Sequence, residues 1–331
     1  MENLNMTINE IAELAGVSRA TVSRYLNQGY VSEEKRERIR KVIDETGYQP
    51  STQAQMLRTR KTKLIGVIIP KIDSHTISRM VGGISLVLAK RGYQLLLANT
   101  ENNEQEELKY LKLFRENHVD GVILTGTIFT NKHRQVLKNY QVPIVILGQH
   151  LAGYSCVYQD DFQASRELAS RMLKRCSCLC YAGVTLQDEA VGRGRQEGFW
   201  TALREAGREM DESLVAEASF QVESGKQAAA ELLQKHPEMD GLLCATDDIA
   251  VGAILYLKHQ GKRVPEDIRV AGFGDTQITQ IVEPNLTTVH YYYKTSGEEA
   301  ARLLLDLLEA DKPVYREMKM GYEVIERTSS L

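Results

Sequence analysis

The chain has 331 residues, a length that predicts two or three folding units. Its 43% apolar and 26% charged residues, with 24 Gly and 7 Pro, exclude collagen-like, low-complexity and small disulfide-scaffold proteins. No run approaches the ~20 apolar residues of a membrane span, and the polar segment from Met1 to Thr7 does not resemble a signal peptide. We therefore expect a cytoplasmic protein whose five cysteines are reduced.

The net charge of −3 is unevenly distributed. Residues 1–63 contain 11 basic and 8 acidic side chains, whereas residues 64–331 contain 30 and 36. A basic head on an acidic body indicates a polyanionic partner for the head. The charge distribution alone is equally consistent with a solvent-exposed charged helix that has no binding partner.

The first 46 residues have the pattern of three short helices. Thr7 and Glu10 form a capping-box pattern, and Ser18 and Ser32 stand where the second and third helices begin. The turn Gly16-Val17 separates the first two helices, so the pattern is helix, tight turn, helix. This pattern is typical of a DNA-binding helix-turn-helix. The alternative is a small helical bundle with no role in DNA binding.

The second helix has the side chains that a helix in a DNA major groove needs. Arginine reads guanine edges, small residues allow close approach, and hydroxyls bind phosphates. The candidate DNA contacts in the head are Thr7, Ser18, Arg19, Ala20, Thr21, Ser23, Arg24 and Asn27.

From Leu64 onward, short apolar runs alternate with amphipathic stretches, which indicates parallel sheets with crossover helices. The predicted strands are Leu64–Ile69, Gln94–Ala98, Gly121–Leu124, Pro143–Leu147, Leu179–Gly183, Gly241–Ala245 and Arg269–Phe273. The predicted helices are Ser78–Lys90, Gln105–Glu116, Asn131–Tyr140, Phe162–Lys174, Gly192–Ala206, Gly225–Lys235, Ile249–Gln260 and Lys294–Leu308. A last strand is predicted over Glu317–Glu326. So many strands suit two sheets better than one.

The run from Thr7 to Asn27 closely resembles the DNA-binding head of the LacI/GalR repressor family. The resemblance continues through Gly47-Tyr48-Gln-Pro50 and covers nearly the whole chain. Further landmarks are Arg195-x-x-Gly198-Phe199, Ala245-Thr246-Asp247-Asp248, Val264-Pro265-x-Asp267-Ile268 and Pro284-x-Leu286-Thr287-Thr288-Val289. Within the family the sequence looks most like trehalose-type and sucrose-type repressors.

The resemblance implies an α/β fold with two Rossmann-like, periplasmic-binding-protein-like lobes, preceded by a small all-α helix-turn-helix head. The implied head spans 1–50, and a hinge helix with its linker spans 51–63. The body spans 64–331, with lobe 1 at about 64–160 plus 292–325 and lobe 2 at about 161–291. Ligands of such open sheets bind beyond the carboxyl ends of the strands.

The resemblance also implies the role of two hinge residues. Leu57 matches the leucine that wedges into the minor groove and kinks the duplex. Gln55 stands where many members have an arginine.

By the same resemblance, a sugar effector lies in the cleft between the lobes. Arg195 matches the arginine that grips sugar hydroxyls, and Phe220 falls where an aromatic ring stacks on the sugar. The remaining candidate contacts are Lys71, Asp73, Thr246, Asp247 and Asp275, together with Gln149, which lies at the end of the predicted strand Pro143–Leu147. Many relatives have an aspartate at the position of Gly274, and Asp275 is expected to compensate. Lys71 leaves two effectors open, a disaccharide or a sugar 6-phosphate.

The ladder Cys176-x-Cys178-x-Cys180 lacks the paired spacing of a zinc site, so we interpret it as structural thiols and expect no metal and no cofactor. The sequence therefore predicts a homodimeric, sugar-responsive repressor that binds double-stranded operator DNA, with no membrane partner and no enzymatic activity. The alternatives are a sugar-binding transport protein or an enzyme with the same two-lobe fold. The first 60 residues favour the repressor, since neither alternative needs a helix-turn-helix.

Overall fold

A computed structural model describes residues 6–48, 61–312 and 314–331. The chain divides into two compact units, with the division between Thr62 and Lys63. The predicted hinge contacts Gln55 and Leu57 lie outside the described residues. Within the described part of the chain, none of the helices combines the length and the apolar character needed to cross a bilayer.

The first unit contains three helices around a small apolar core. They are α1 (Ile8–Leu14), α2 (Arg19–Leu26) and α3 (Glu33–Thr46). The buried core residues come from all three helices and the connections between them: Ile11, Ala12, Ala15, Val22, Val31 and Ile39. Val17, in the turn before α2, packs against this core, as expected for a close helix crossing. Ser32 precedes α3 but makes no side-chain capping bond.

The second unit contains two six-stranded sheets. The strands of the first sheet are β1 (Leu64–Ile69), β2 (Gln94–Asn99), β3 (Gly121–Leu124), β4 (Ile144–Leu147), β5 (Ser155–Gln159) and β11 (Glu317–Met320). Those of the second are β6 (Leu179–Gly183), β7 (Val215–Glu217), β8 (Gly241–Cys244), β9 (Arg269–Phe273), β10 (Thr287–Tyr291) and β12 (Tyr322–Ile325). The strand orders are β11-β5-β4-β3-β1-β2 and β12-β10-β9-β8-β6-β7. All pairings are parallel except that of β10 with β12.

The helices of this unit mostly alternate with the strands. They are α4 (His75–Lys90), α5 (Glu104–Glu116), α6 (Asn131–Lys138), α7 (Asp161–Leu173), α8 (Arg195–Glu205), α9 (Val222–Lys235), α10 (Asp247–His259), α11 (Ile278–Ile281) and α12 (Tyr293–Glu309). Helix α12 packs on α4 and on strands of the first sheet, whereas α7 packs on α8. The chain therefore passes between the two lobes near residues 160, 292 and 321. The predicted α/β fold with two lobes and a helical head is confirmed.

The end of the chain differs from the prediction. The segment Glu317–Glu326, predicted as one strand, forms β11 in the first sheet and β12 in the second, with Gly321 between them. Lobe 1 was expected to continue to residue 325, but β12 pairs with β10 and belongs to the second sheet. Alternation of polar and apolar residues indicates a strand but does not indicate its partner, which explains the error.

Candidate DNA-binding head and effector pocket

Helix α2 begins at Arg19, and the side chain of the preceding Ser18 caps it. The Thr21 backbone N–H donates to Ser18 Oγ at 3.2 Å, and the two hydroxyls lie 2.9 Å apart. At the other end of α2, the Asn27 side-chain amide donates to the carbonyl of Ser23. The side chains of Ser18, Thr21 and Asn27 therefore take part in capping the ends of the helix, whichever contacts they make with DNA.

The outer face of α2 presents the remaining predicted contacts. Val22 is fully buried against α1 and α3, whereas Arg19, Ala20 and Arg24 are exposed. Thr7 lies at the start of α1, where its backbone N–H donates to Glu10 Oε2 at 2.6 Å and completes the predicted capping box. The head therefore offers a cationic, accessible helix face, as groove insertion requires.

The body contains a cavity of about 190 Å³ between its two sheets. Its lining comes from segments that follow the carboxyl ends of strands in both lobes, where ligands of parallel sheets are expected. Residues of the first lobe include Lys71, Asp73, His75, Asn102, Thr127 and Tyr293. Residues of the second lobe include Asp188, Arg195, Phe220, Thr246, Asp247, Asp248, Phe273 and Thr276. Six of the eight predicted effector contacts line this cavity: Lys71, Asp73, Arg195, Phe220, Thr246 and Asp247.

Arg195 is buried and already paired within the protein. Its Nε and Nη2 each lie 2.7 Å from Asp161 Oδ1, and Nη1 donates to the Ala245 carbonyl. The guanidinium carbon also lies 4.8 Å from the centre of the Phe273 ring and 5.1 Å from that of Tyr291. A guanidinium has five N–H donors, so these acceptors do not use all of its capacity for a ligand.

A π-helical turn over Glu189–Gly194 places Arg195 at the first position of α8. Asp188 caps this turn by accepting from the backbone N–H groups of Ala190 and Val191 at 3.0 and 2.9 Å. The turn packs so closely on the end of β6 that a Cβ on Gly192 would lie 2.0 Å from the Thr185 carbonyl oxygen. Only glycine fits there without moving the backbone.

Asp247 lies at the start of α10 and accepts three hydrogen bonds. Its Oδ2 accepts from the Thr276 N–H at 2.9 Å and from the Thr276 hydroxyl at 3.0 Å. Its Oδ1 accepts from the Thr288 hydroxyl at 2.6 Å. Burial, the largest influence, raises the pKa of Asp247 to about 6 despite these bonds. The carboxylate is thus held rigidly at the pocket wall.

Asp275 does not line the pocket, contrary to the expected compensation. Its carboxylate lies 2.7 Å from Arg327 Nη2 and 2.8 Å from His290 Nδ1. Burial alone would raise the pKa of Asp275, but these bonds outweigh it and the pKa is lowered. Gly274, the position at which many relatives have an aspartate, has φ +135°, and a Cβ there would lie 3.1 Å from Asp247 Oδ2. Asp247 and Thr276 supply the polar groups on this side of the pocket.

Gln149 also lies outside the lining. It is buried, and its side-chain amide donates to the carbonyl of Gly126, so it holds the loop that follows β3. Its position at the end of the predicted strand Pro143–Leu147 suggested the cleft, but its side-chain amide binds a carbonyl within the first lobe.

The sequence interpretation missed two acidic residues of the pocket, Asp188 and Asp248. Burial is the largest cause that raises the pKa of Asp188 to about 6, and it also raises the pKa of Asp248. Both residues follow the carboxyl end of a strand of the second sheet, β6 or β8. An inspection of every strand end, rather than of family landmarks alone, could have found them.

Comparison with known proteins agrees with both units. The profile described as "Bacterial regulatory proteins, lacI family" matches residues 7–51. The profile "Periplasmic binding proteins and sugar binding domain of LacI family" matches residues 62–328. The sucrose operon repressor of Staphylococcus xylosus is 34% identical over 303 residues, which cover 91% of this chain and 93% of that protein. The ribose operon repressor of Bacillus subtilis (strain 168) is 32% identical over 309 residues, or 92% of each chain.

Solved structures give the same result. A complex of the transcriptional regulator CelR with cellobiose is 30% identical, with a TM-score of 0.76 over 98% of this chain and 99% of that chain. The lac repressor dimer bound to operator and an anti-inducer has a TM-score of 0.88 over 98% and 99% of the two chains, and at 23% identity it shows the fold alone. The chain belongs to the LacI family of bacterial regulatory proteins, with a helix-turn-helix head and a sugar-binding body.

Proposed function

We propose that this protein represses a sugar-utilisation operon and that its effector is a neutral disaccharide bound in the pocket between the lobes. It acts in the cytoplasm on operator DNA, as a regulator and not as an enzyme. Leu57 and Gln55 take part in the hinge that contacts the minor groove, and Thr7, Ser18, Arg19, Ala20, Thr21, Ser23, Arg24 and Asn27 contact the DNA from the head.

The charged groups that line the pocket are the main evidence for a neutral sugar as the effector. Lys71 lies 3.3 Å from Asp73, and Arg195 is paired with Asp161, so each of these lining cations has an acidic partner. Three further carboxyls, of Asp188, Asp247 and Asp248, remain in the lining. Carboxylates accept hydrogen bonds from sugar hydroxyls but repel a phosphate, which favours the free sugar over its 6-phosphate.

Other features of the pocket support a sugar with an apolar face. Phe220 lines the cavity with 37% of its surface exposed, so its ring is available for stacking. Arg195 retains donor capacity for hydroxyl oxygens. The choice of a disaccharide is supported by two relatives, which are named as a sucrose operon repressor and as a regulator in complex with cellobiose.

The surface of the first lobe supports a homodimer. Strand β2 lies at the edge of its sheet and exposes 37% of Leu96 and 40% of Leu97. Leu86 of the adjoining helix α4 is exposed as well. An apolar edge strand is a natural site for association, and a two-fold dimer matches a palindromic operator.

Isothermal calorimetry with the full chain tests the effector. We expect sucrose, cellobiose or trehalose to bind at least about 10-fold more tightly than its 6-phosphate, which corresponds to about 1.4 kcal/mol. A preference for the phosphorylated form would disprove the neutral effector. Selection of binding sites from genomic DNA fragments followed by footprinting, with and without the sugar found, tests the regulatory role independently. No protected palindrome in either condition would contradict that role.

A further inference from the structure

We propose that Cys178, His236 and Glu238 form a binding site for a zinc-like divalent metal ion at the amino-terminal edge of the second sheet. This edge is opposite to the one that carries the effector pocket. The proposal rests on the ligand atoms of these three side chains, which all lie within 4.8 Å of one another.

The sheet topology brings the three residues together. Cys178 directly precedes β6, while His236 follows α9 and Glu238 lies shortly before β8. Strands β6 and β8 are neighbouring and parallel, with Leu179 opposite Gly241, so their amino ends are adjacent.

A shared carboxylate fixes this part of the backbone. Asp240 accepts hydrogen bonds from the backbone N–H groups of Ser177 and Cys178 at 2.7 to 2.9 Å. The segment that carries Cys178 is therefore tied to the segment that carries Glu238 before any ion binds.

Two of the three distances between the ligand atoms are close to those around a tetrahedral ion, and the third is below 4.8 Å. With bonds of about 2.3 Å to sulfur and 2.0–2.2 Å to nitrogen and oxygen, tetrahedral angles place sulfur and oxygen about 3.6 Å apart and nitrogen and oxygen about 3.4 Å apart. Cys178 Sγ lies 3.8 Å from Glu238 Oε1, and His236 Nδ1 lies 3.2 Å from the same oxygen. An ion could enter with only small side-chain shifts.

The imidazole is oriented for this role from outside the site. Ser213 Oγ lies 3.1 Å from His236 Nε2, on the side of the ring away from Nδ1. A hydrogen bond at the second ring nitrogen is the usual way in which proteins orient a metal-binding histidine.

Exposure separates Cys178 from its neighbours in the cysteine ladder. Cys176 and Cys180 are buried, whereas Cys178 and His236 are only partly buried and Glu238 is exposed. The interpretation of the ladder as structural thiols therefore suits its two outer members. The middle thiol faces two further ligands that come from about 60 residues later in the chain.

Binding requires one proton transfer and no oxidation. The Cys178 thiol loses its proton to solvent as the sulfur–metal bond forms, while the imidazole of His236 binds as a neutral ligand and Glu238 as a carboxylate. Water completes the tetrahedron at the exposed side. Thiolate together with imidazole suits zinc, and cobalt(II) is a spectroscopic substitute.

The test is a titration of the full chain, purified without a histidine tag and kept reduced, with Co²⁺. We expect a thiolate-to-cobalt absorption band that saturates at one equivalent and disappears when Zn²⁺ displaces the cobalt. Cys178→Ser should abolish the band, and His236→Gln and Glu238→Gln should each weaken Co²⁺ binding at least about 10-fold. Ser213→Ala should weaken it by about 10-fold, as is typical of the partner of a metal-bound histidine.

His259→Gln is the matched control, because this exposed histidine ends α10 and does not belong to the cluster. It should bind Co²⁺ as the parent chain does. The proposal is overturned if no band appears, if the band survives Cys178→Ser, or if His236→Gln binds with unchanged affinity. Circular dichroism without metal checks that each variant folds. If Cys178→Ser does not fold, Glu238→Gln and Ser213→Ala replace it as the test. Unchanged Co²⁺ affinity in both of these variants would then overturn the proposal.

Discussion

Helix α2 of the head presents Arg19 and Arg24 to solvent, whereas the pocket of the body buries Arg195 and Asp247. In the head, the groups proposed to contact DNA are separate from the core that folds the unit. In the body, two proposed effector contacts, Arg195 and Asp247, also belong to a buried ion pair and a buried hydrogen-bond network. Substitutions should therefore separate binding from stability in the head and affect both at these two pocket positions.

Arg195→Ala should have the largest effect. It removes one partner of a buried ion pair and leaves the Asp161 carboxylate uncompensated, so we expect a loss of about 3–5 kcal/mol in the free energy of unfolding, together with loss of effector binding. Urea unfolding measures the stability. Arg204→Ala, at an exposed position of the same helix, should change it by less than about 0.5 kcal/mol. A comparable small change for Arg195→Ala would show that the pair does not stabilise the fold.

Arg24→Ala should have the opposite profile. We expect operator binding to weaken by about 1–3 kcal/mol if Arg24 reads a base, while the stability of the head is unchanged because the side chain is exposed. Gel-shift titrations on operator and random DNA at one salt concentration measure the effect. Arg40→Ala, exposed on α3, is the control for the loss of one positive charge. Equal losses on operator and random DNA would assign Arg24 to phosphate contact alone.

Acidification should weaken the binding of the effector to the body. Helix α2 has no acidic or histidine side chain, so its own charge should not change. The pKa values of Asp188 and Asp247 are raised to about 6, so both carboxyls gain protons as the pH falls from 7.5 to 5.5. At pH 5.5 about a quarter of such a group is ionised, and affinity should fall about 4-fold for each carboxylate that must accept a sugar hydroxyl. Calorimetry at the two pH values checks this. Stronger binding at the lower pH would mean that the acids act as donors.

Lys71→Ala should have the smallest effect. Because Lys71 is paired with Asp73 and the proposed effector is neutral, affinity for the free disaccharide should change less than about 2-fold, in keeping with a partly exposed ion pair. Competition binding with the sugar and its 6-phosphate gives both affinities. If the parent chain binds the sugar 6-phosphate and Lys71→Ala abolishes that binding, the result would favour the phosphorylated sugar as the effector.

The sequence predicted those elements whose signal is local. Strands β1, β3, β6 and β9 have the predicted bounds, because each is a short run of mostly apolar residues between helical patterns. Strands β5, β7 and β10 were missed: Ser155, Thr287 and Thr288 break the apolar pattern of two of them, and Val215–Glu217 has only three residues. The pairing that supports these strands comes from neighbours distant in sequence.

In the functional sites, too, contacts between residues close in sequence were predicted and contacts between distant residues were not. The caps at Thr7 and Ser18 involve residues three positions apart, and both were predicted correctly. The placement of Asp275 outside the pocket depends on Arg327, 52 residues later, and no local pattern indicates that contact. Arg195, predicted from the family resemblance, lines the pocket, but its pairing with Asp161 was not foreseen.

The three passages between the lobes, near residues 160, 292 and 321, constrain how the cleft can open. A single connection would let one lobe swivel freely about it, whereas three side by side must all bend together. The lobes can then move relative to each other mainly by rotation about a single axis, and this rotation widens or narrows the pocket. At the third passage, Gly321 is exposed and a Cβ there would meet no atom within 4 Å, so no neighbouring group packs against this position. The size of a bound effector should therefore determine mainly one angle between the lobes.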